Sequence, residues 1–128
     1  MIEAIAFDAY GTLFDVYSVG ALAEQLFPGH GQAISEMWRD RQIEYTRLRS
    51  MSSVYRPFGE VTEDALDFTC RKLKLTLTTE AKNALMNQYN LLPTFKENIE
   101  VLKELKAMGI KLAILRWALL QSCDIYLI

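Results

Sequence analysis

Phe7-Asp8-Ala9-Tyr10-Gly11-Thr12-Leu13-Phe14-Asp15 is the stretch on which the reading of this chain turns. An apolar run from Ile2 to Phe7, broken only by Glu3, leads into it and predicts a buried strand that ends at Asp8. Gly11 admits a tight turn after the strand, and Thr12 offers a hydroxyl to a nearby carboxylate. In open parallel sheets, ligands bind beyond the carboxyl ends of the strands, which is where Asp8 falls. Taken alone, an aspartate in that place more often does no more than start a turn.

Outward from this stretch the pattern turns helical. Val19, Leu22, Ala23 and Leu26 share one helical face over 16–27, and Pro28-Gly29-His30-Gly31 punctuates it. Ile34, Met37, Trp38, Tyr45 and Leu48 form one stripe of a long amphipathic helix over 32–50. Ser52-Ser53 and Pro57-Phe58-Gly59 predict a loop. Thr62 is expected to cap the next helix, with Glu63 and Asp64 in its first turn, and Leu66, Thr69, Cys70 and Leu73 continue it. Thr78 or Thr79 is expected to cap another, carrying Ala81, Leu85, Tyr89 and Leu92. Four helices with no strand between them predict a small bundle. Beyond Pro93, residues 97–108 predict a helix with Val101, Leu102, Leu105 and Met108 on one face, stopped by Gly109. Residues 111–115, Lys-Leu-Ala-Ile-Leu, then read as a second buried strand. A strand, a helix and a second strand imply a parallel sheet with a right-handed crossover, hence an α/β fold.

Composition narrows the function. The chain has 128 residues, 51% hydrophobic and 23% charged, which fits a globular protein. A net charge of −2 offers no basic field for nucleic acid or an anionic membrane. No apolar run is long enough to span a bilayer, and the N-terminus lacks a secretory pattern, so a cytoplasmic location is expected. Cys70 and Cys123 lack metal or redox spacing and read as reduced thiols. His30, the sole histidine, cannot build a metal cluster or a conventional triad.

The complete string from Phe7 to Asp15 resembles the first motif of the haloacid dehalogenase superfamily, an aspartate ending strand one followed by a Gly-Thr turn. Met37-Trp38-Arg39, Gln42-Ile43-Glu44-Tyr45-Thr46 and Leu48-Arg49-Ser50 resemble the first cap helix of its L-2-haloacid dehalogenases. So do Thr62-Glu63-Asp64-Ala65-Leu66 and Phe68-Thr69-Cys70-Arg71. The resemblance covers residues 1 to about 115. It implies a partial Rossmann-like core, residues 1–15 and 93–128, with a helical cap over 16–92. It implies that Asp8 is a covalent nucleophile oriented by Thr12, and that Arg39 receives the departing halide. Tyr10, Ile43 and Phe58 match apolar positions of the substrate pocket, and the backbone N–H groups of Ala9 and Tyr10 would hold the substrate carboxylate. The implied activity is hydrolysis of an L-2-haloacid to a D-2-hydroxyacid, with no metal and no cofactor, on a small 2-haloacid, and with a homodimer as an option. Phosphatase branches usually carry a general-acid aspartate where this chain has Tyr10. A phosphate ester often needs its leaving oxygen protonated, whereas a halide leaves as a stable anion, so Tyr10 disfavours the phosphatase alternative. The non-enzyme alternative is an inactive truncated product.

Two features depart from the pattern. Asp40 stands where the family examples carry glutamine, and is expected to face water. The second motif, a small hydroxyl residue followed by asparagine and glycine, should follow Leu115, but the chain reads Arg116-Trp117-Ala118-Leu119-Leu120. A shifted reading frame or a diverged stretch is the hypothesis; failure of all three frames of the coding DNA to encode Ser-Asn-Gly would exclude the shift. Family members continue for roughly another half of the core, which holds a lysine beside the nucleophile and a water-positioning aspartate. The expectation is therefore a truncated chain with little or no turnover.

Overall fold

The structure is a computed structural model and describes residues 1–116 and 124–127. The chain divides into two compact units, Met1–Asp15 with Pro93–Ile128, and Val16–Leu92.

The first unit is a small α/β layer. Strand β1 (Ala4–Asp8) pairs in parallel with β2 (Lys111–Arg116), with Asp8 opposite Leu115. Helix α5 (Lys96–Ala107) packs on β2. Gly109 takes a positive φ of 79° just past this helix, as its C-terminal stop requires. Leu102 and Leu105 of the expected apolar face are half-buried, while Val101 and Met108 are exposed. A third strand, β3 (Asp124–Leu127), lies antiparallel to β2 in the order β1-β2-β3. The expected parallel pair of β1 and β2 is thus present, and β3, which the sequence reading did not anticipate, adds an antiparallel strand beside β2. Seven residues separate β2 from β3, fewer than the dozen or so a parallel crossover needs. The departure at 117–120 and Cys123 lie outside the described residues.

The second unit is all-helical: α1 (Val19–Leu26), α2 (Gly31–Met51), α3 (Phe58–Lys72) and α4 (Thr79–Tyr89). Its interior holds Val19, Ile34, Trp38, Leu66, Cys70 and Leu85, each at most 1% exposed. Thr78 caps α4, its hydroxyl accepting the Ala81 N–H at 3.2 Å. Thr62 does not cap α3. That helix begins four residues earlier, because Pro57 is extended (φ −55°, ψ 145°) and its carbonyl accepts the Val61 N–H at 3.1 Å. No side chain of its own caps α2. Glu24 of α1 does so instead, accepting the Gly29 and Gly31 N–H groups at 2.6 and 2.8 Å. Among the described residues, no helix is long and apolar enough to cross a membrane.

Candidate functional site

In the α/β unit, Asp8 closes β1 and is exposed at the carboxyl end of the strand. The chain then folds back on itself. Leu13 and Phe14 N–H groups donate to the Ala9 carbonyl at 3.0 and 2.9 Å, and Gly11 N–H donates to the Phe14 carbonyl at 2.8 Å. Gly11 has φ +86°, the left-handed region that a side chain would disfavour. This turn brings the Thr12 hydroxyl back to Asp8 Oδ2 at 3.4 Å, a long hydrogen bond. Ala9 is buried and Tyr10 half-buried. One residue not anticipated from sequence is Asn98 of α5, whose amide donates to the Thr12 and Leu13 carbonyls at 2.8 and 3.3 Å. It pins the turn that carries Thr12. No local pattern marks Asn98, because the contact joins residues 86 apart in sequence.

In the helical unit, Arg39 and Ile43 lie one helical turn apart on α2, so both sit on one face. Both are half-buried. Arg39 Nη1 donates to Gln42 Oε1 at 2.8 Å. Phe58 is the first residue of α3, is half-buried, and its carbonyl accepts the Thr62 hydroxyl at 2.8 Å. Behind Arg39 lies a buried polar cluster. Gln42 is 1% exposed and also receives the Tyr89 hydroxyl, at 2.8 Å. Trp38 Nε1 donates to the Thr62 carbonyl at 2.8 Å, and the Trp38 and Tyr89 rings lie 5.0 Å apart. The signal for this cluster was present in the chain: Gln42 is a polar residue on the apolar stripe that runs from Trp38 to Tyr45. The cluster brings together Arg39, Gln42, Thr62 and Tyr89 from three helices, along with the Phe58 carbonyl.

Other charged residues take structural parts. Arg41 stacks on the Phe68 ring, 4.1 Å from its centroid, and pairs with Glu44. Arg49 pairs with Asp64. Lys82 bridges Glu63 and Asp67 at 2.7 and 2.9 Å, and its hydrogen bond to Glu63 raises its pKa in spite of burial. Arg47 and Arg71 are exposed, and so is Asp40, as expected. Burial, helped by the Asp67 charge, pushes the Cys70 thiol up to about 11, which leaves it protonated near neutrality and unsuited to nucleophilic work. Among the described residues, no three His, Cys, Asp or Glu side chains gather as a cation site.

A family model described as haloacid dehalogenase-like hydrolase matches residues 2–116. The chain is 50% identical over 123 residues to an (S)-2-haloacid dehalogenase of Pseudomonas sp. (strain YL), covering 96% of this chain and 53% of that protein. It is 45% identical over 114 residues to an (S)-2-haloacid dehalogenase of Pseudomonas putida, covering 89% of this chain and 50% of that one. The structure of L-2-haloacid dehalogenase from Xanthobacter autotrophicus with chloropropionic acid covalently bound superposes with a TM-score of 0.83 at 37% identity, covering 94% of this chain and 49% of that chain. The chain spans about half the length of the curated relatives it matches.

Proposed function

Because the chain belongs to the haloacid dehalogenase-like hydrolases, we propose that its chemistry is the hydrolytic dehalogenation of L-2-haloacids to D-2-hydroxyacids through an ester on Asp8. An Asp8 carboxylate oxygen attacks the halogen-bearing carbon from the side opposite the halide. A carbon–oxygen bond forms, the carbon–halogen bond breaks, and the halide leaves with the electron pair. In the complete parent reaction water then attacks the Asp8 carboxyl carbon, releasing the inverted hydroxyacid and restoring the carboxylate, a step that these 128 residues are expected to lack. Thr12 orients the carboxylate, and the Ala9 and Tyr10 N–H groups hold the substrate carboxylate. Arg39 receives the halide, since a guanidinium keeps its charge and offers several donors. Ile43, Phe58 and Tyr10 supply apolar surface for the substrate.

The observation that carries this reading is the turn after β1. It returns the Thr12 hydroxyl to a carboxylate that ends a parallel strand. A cytoplasmic location and a homodimer belong to the same reading, and sedimentation of the purified chain tests the second.

The experiment is incubation of the chain with L-2-chloropropionate, followed by chloride measurement and peptide mass analysis. The expected result is chloride release with an added mass on the peptide containing Asp8, both absent in Asp8→Asn. Chloride release from Asp8→Asn equal to that of the unaltered chain, with reversion of the amide excluded, would overturn the assignment. Magnesium-dependent release of phosphate from a phosphate monoester, with no chloride release, would replace the reading by that of a phosphatase.

A further inference from the structure

We infer that Asn98 is a positioning residue for the nucleophile, one whose side-chain amide holds the turn after β1 so that the Thr12 hydroxyl meets Asp8. The inference rests on the reading of Asp8 as the attacking group. Asn98 is the third residue of α5 and is half-buried. Its Nδ2 donates to the Thr12 carbonyl at 2.8 Å and to the Leu13 carbonyl at 3.3 Å. The amide has one satisfactory orientation there. Turned over, its oxygen would face two carbonyl oxygens, which can only accept.

Backbone bonds fix the residues on either side of Thr12 but not Thr12 itself. Leu13 and Phe14 donate to Ala9, Gly11 donates to Phe14, and Asp15 donates to the Pro93 carbonyl at 2.9 Å. Neither the N–H nor the carbonyl of Thr12 takes part in these bonds. Its carbonyl is held by Asn98, and its hydroxyl donates to Asp8 Oδ2 at 3.4 Å. The two contacts are linked through the backbone. Threonine is β-branched, and the χ1 wells open to it depend on its φ and ψ. An amide that fixes the Thr12–Leu13 peptide plane therefore also selects where the hydroxyl points. A bond as long as 3.4 Å tolerates little drift before it is lost.

Asn98 does not serve its own helix through this contact. The third helical position is where a side chain can reach back to the N–H of the capping residue. Here that N–H, on Phe95, donates to the Leu13 carbonyl at 3.3 Å. The start of α5 thus faces the turn with two donors, one from its backbone and one from Asn98.

Two readouts on the isotope-labelled chain test the inference. Three-bond NMR couplings from the Thr12 methyl to the backbone report its χ1, and mass analysis follows the rate at which L-2-chloropropionate adds to Asp8. In the unaltered chain Thr12 should keep a single rotamer. Asn98→Ala and Asn98→Asp should each average the couplings and slow the addition by about threefold to tenfold, the scale of one lost hydrogen bond. Asn98→Asp keeps the side-chain shape and sets a carboxylate in the first turn of α5, where the helix dipole favours it. Its thermal midpoint should therefore hold while the donor is lost. A role in stability alone would follow the midpoint. In a Thr12→Val chain, Asn98→Asp should slow the addition no further, because the hydroxyl through which it acts is gone.

Thr12 couplings that are unchanged in the variants, or already averaged in the unaltered chain, would overturn the inference. So would altered couplings with an unchanged rate, or a slowing that is as large in the Thr12→Val chain. If Asn98→Ala does not fold, Asn98→Asp decides. If the unaltered chain gains no mass on Asp8, the reading of Asp8 as nucleophile fails. The placing of Thr12 by Asn98 is then judged on the couplings alone.

Discussion

The described contacts of Arg39, Arg41 and Arg49 are of different kinds. Arg41 is spent on an aromatic face and a neighbouring glutamate, and Arg49 on Asp64. At Arg39 the bond to Gln42 is to a neutral, buried acceptor. A lysine in its place would keep the charge, but as a point on a flexible stem without a planar fork. Arg39→Lys is therefore expected to slow the first release of chloride from L-2-chloropropionate by roughly a hundredfold, the scale seen when an oriented donor is lost from a site where charge develops. Chloride kinetics of the two chains check this, and near-equal rates would return Arg39 to the role of an ordinary helical charge. Legibility at this scale was uneven. Asp8 and Thr12 could be read from one short string because their contact is local. Asn98 and Tyr89 could not, because each meets its partner across the fold.

Among the elements, α1 and α2 approach closely at Gly31. A Cβ at Gly31 would lie 2.6 Å from the Gly20 carbonyl oxygen and 2.7 Å from Glu24 Cβ. No side chain fits there unless the helices move apart. Gly31→Ala should cost about 1–3 kcal/mol, the usual penalty for overpacking, measured by urea unfolding. Glu24 supports the same junction by accepting the Gly29 and Gly31 N–H groups. Those bonds, Gly29 first, hold its carboxyl below the ordinary glutamate range, and the effect outweighs the opposing desolvation. The sign of the linkage follows. A carboxyl depressed in the folded state adds stability above its unfolded pKa, and loses it as pH falls through the folded one. Glu24→Gln should therefore lower the thermal midpoint near pH 7, and the gap to the unaltered chain should close on acidification below about pH 4. A gap that stays constant down to about pH 3 would show that the carboxylate charge is not involved. The helices themselves were legible from their periodicity. The start of α3 was not, because Pro57 starts the helix before the polar cluster that looked like its cap.

For the whole molecule, the second strand matters as much as the first. The resemblance calls for a small hydroxyl residue after Leu115, and Arg116 ends β2 in that place. A large cation cannot supply the short hydroxyl contact to a substrate carboxylate that this position provides in the pattern. A polypeptide of these 128 residues is expected to release at most one chloride per chain from L-2-chloropropionate and to keep the added mass as a stable ester. Intact-mass analysis beside a chloride time course reads both quantities. Sustained release of many chlorides per chain would show that the motif after Leu115 is not needed for turnover.

Residue identity and spacing determined the α/β class, the strand that ends at Asp8, the Gly-Thr turn, the helical insertion and the family. Each of these depends on local geometry: the two-residue repeat of a strand, the 3.6-residue repeat of a helix, and a turn that only some residues permit. Tertiary structure alone decided the rest. The antiparallel placement of β3 depends on which strand edge the chain can reach over a short connection. The cap of α2 comes from a carboxylate on another helix. The orientation of Gln42 depends on where the protons of Thr62, Tyr89 and Arg39 go once three helices have packed, and hydrogen-bond partners so far apart in sequence leave no periodic trace in the chain.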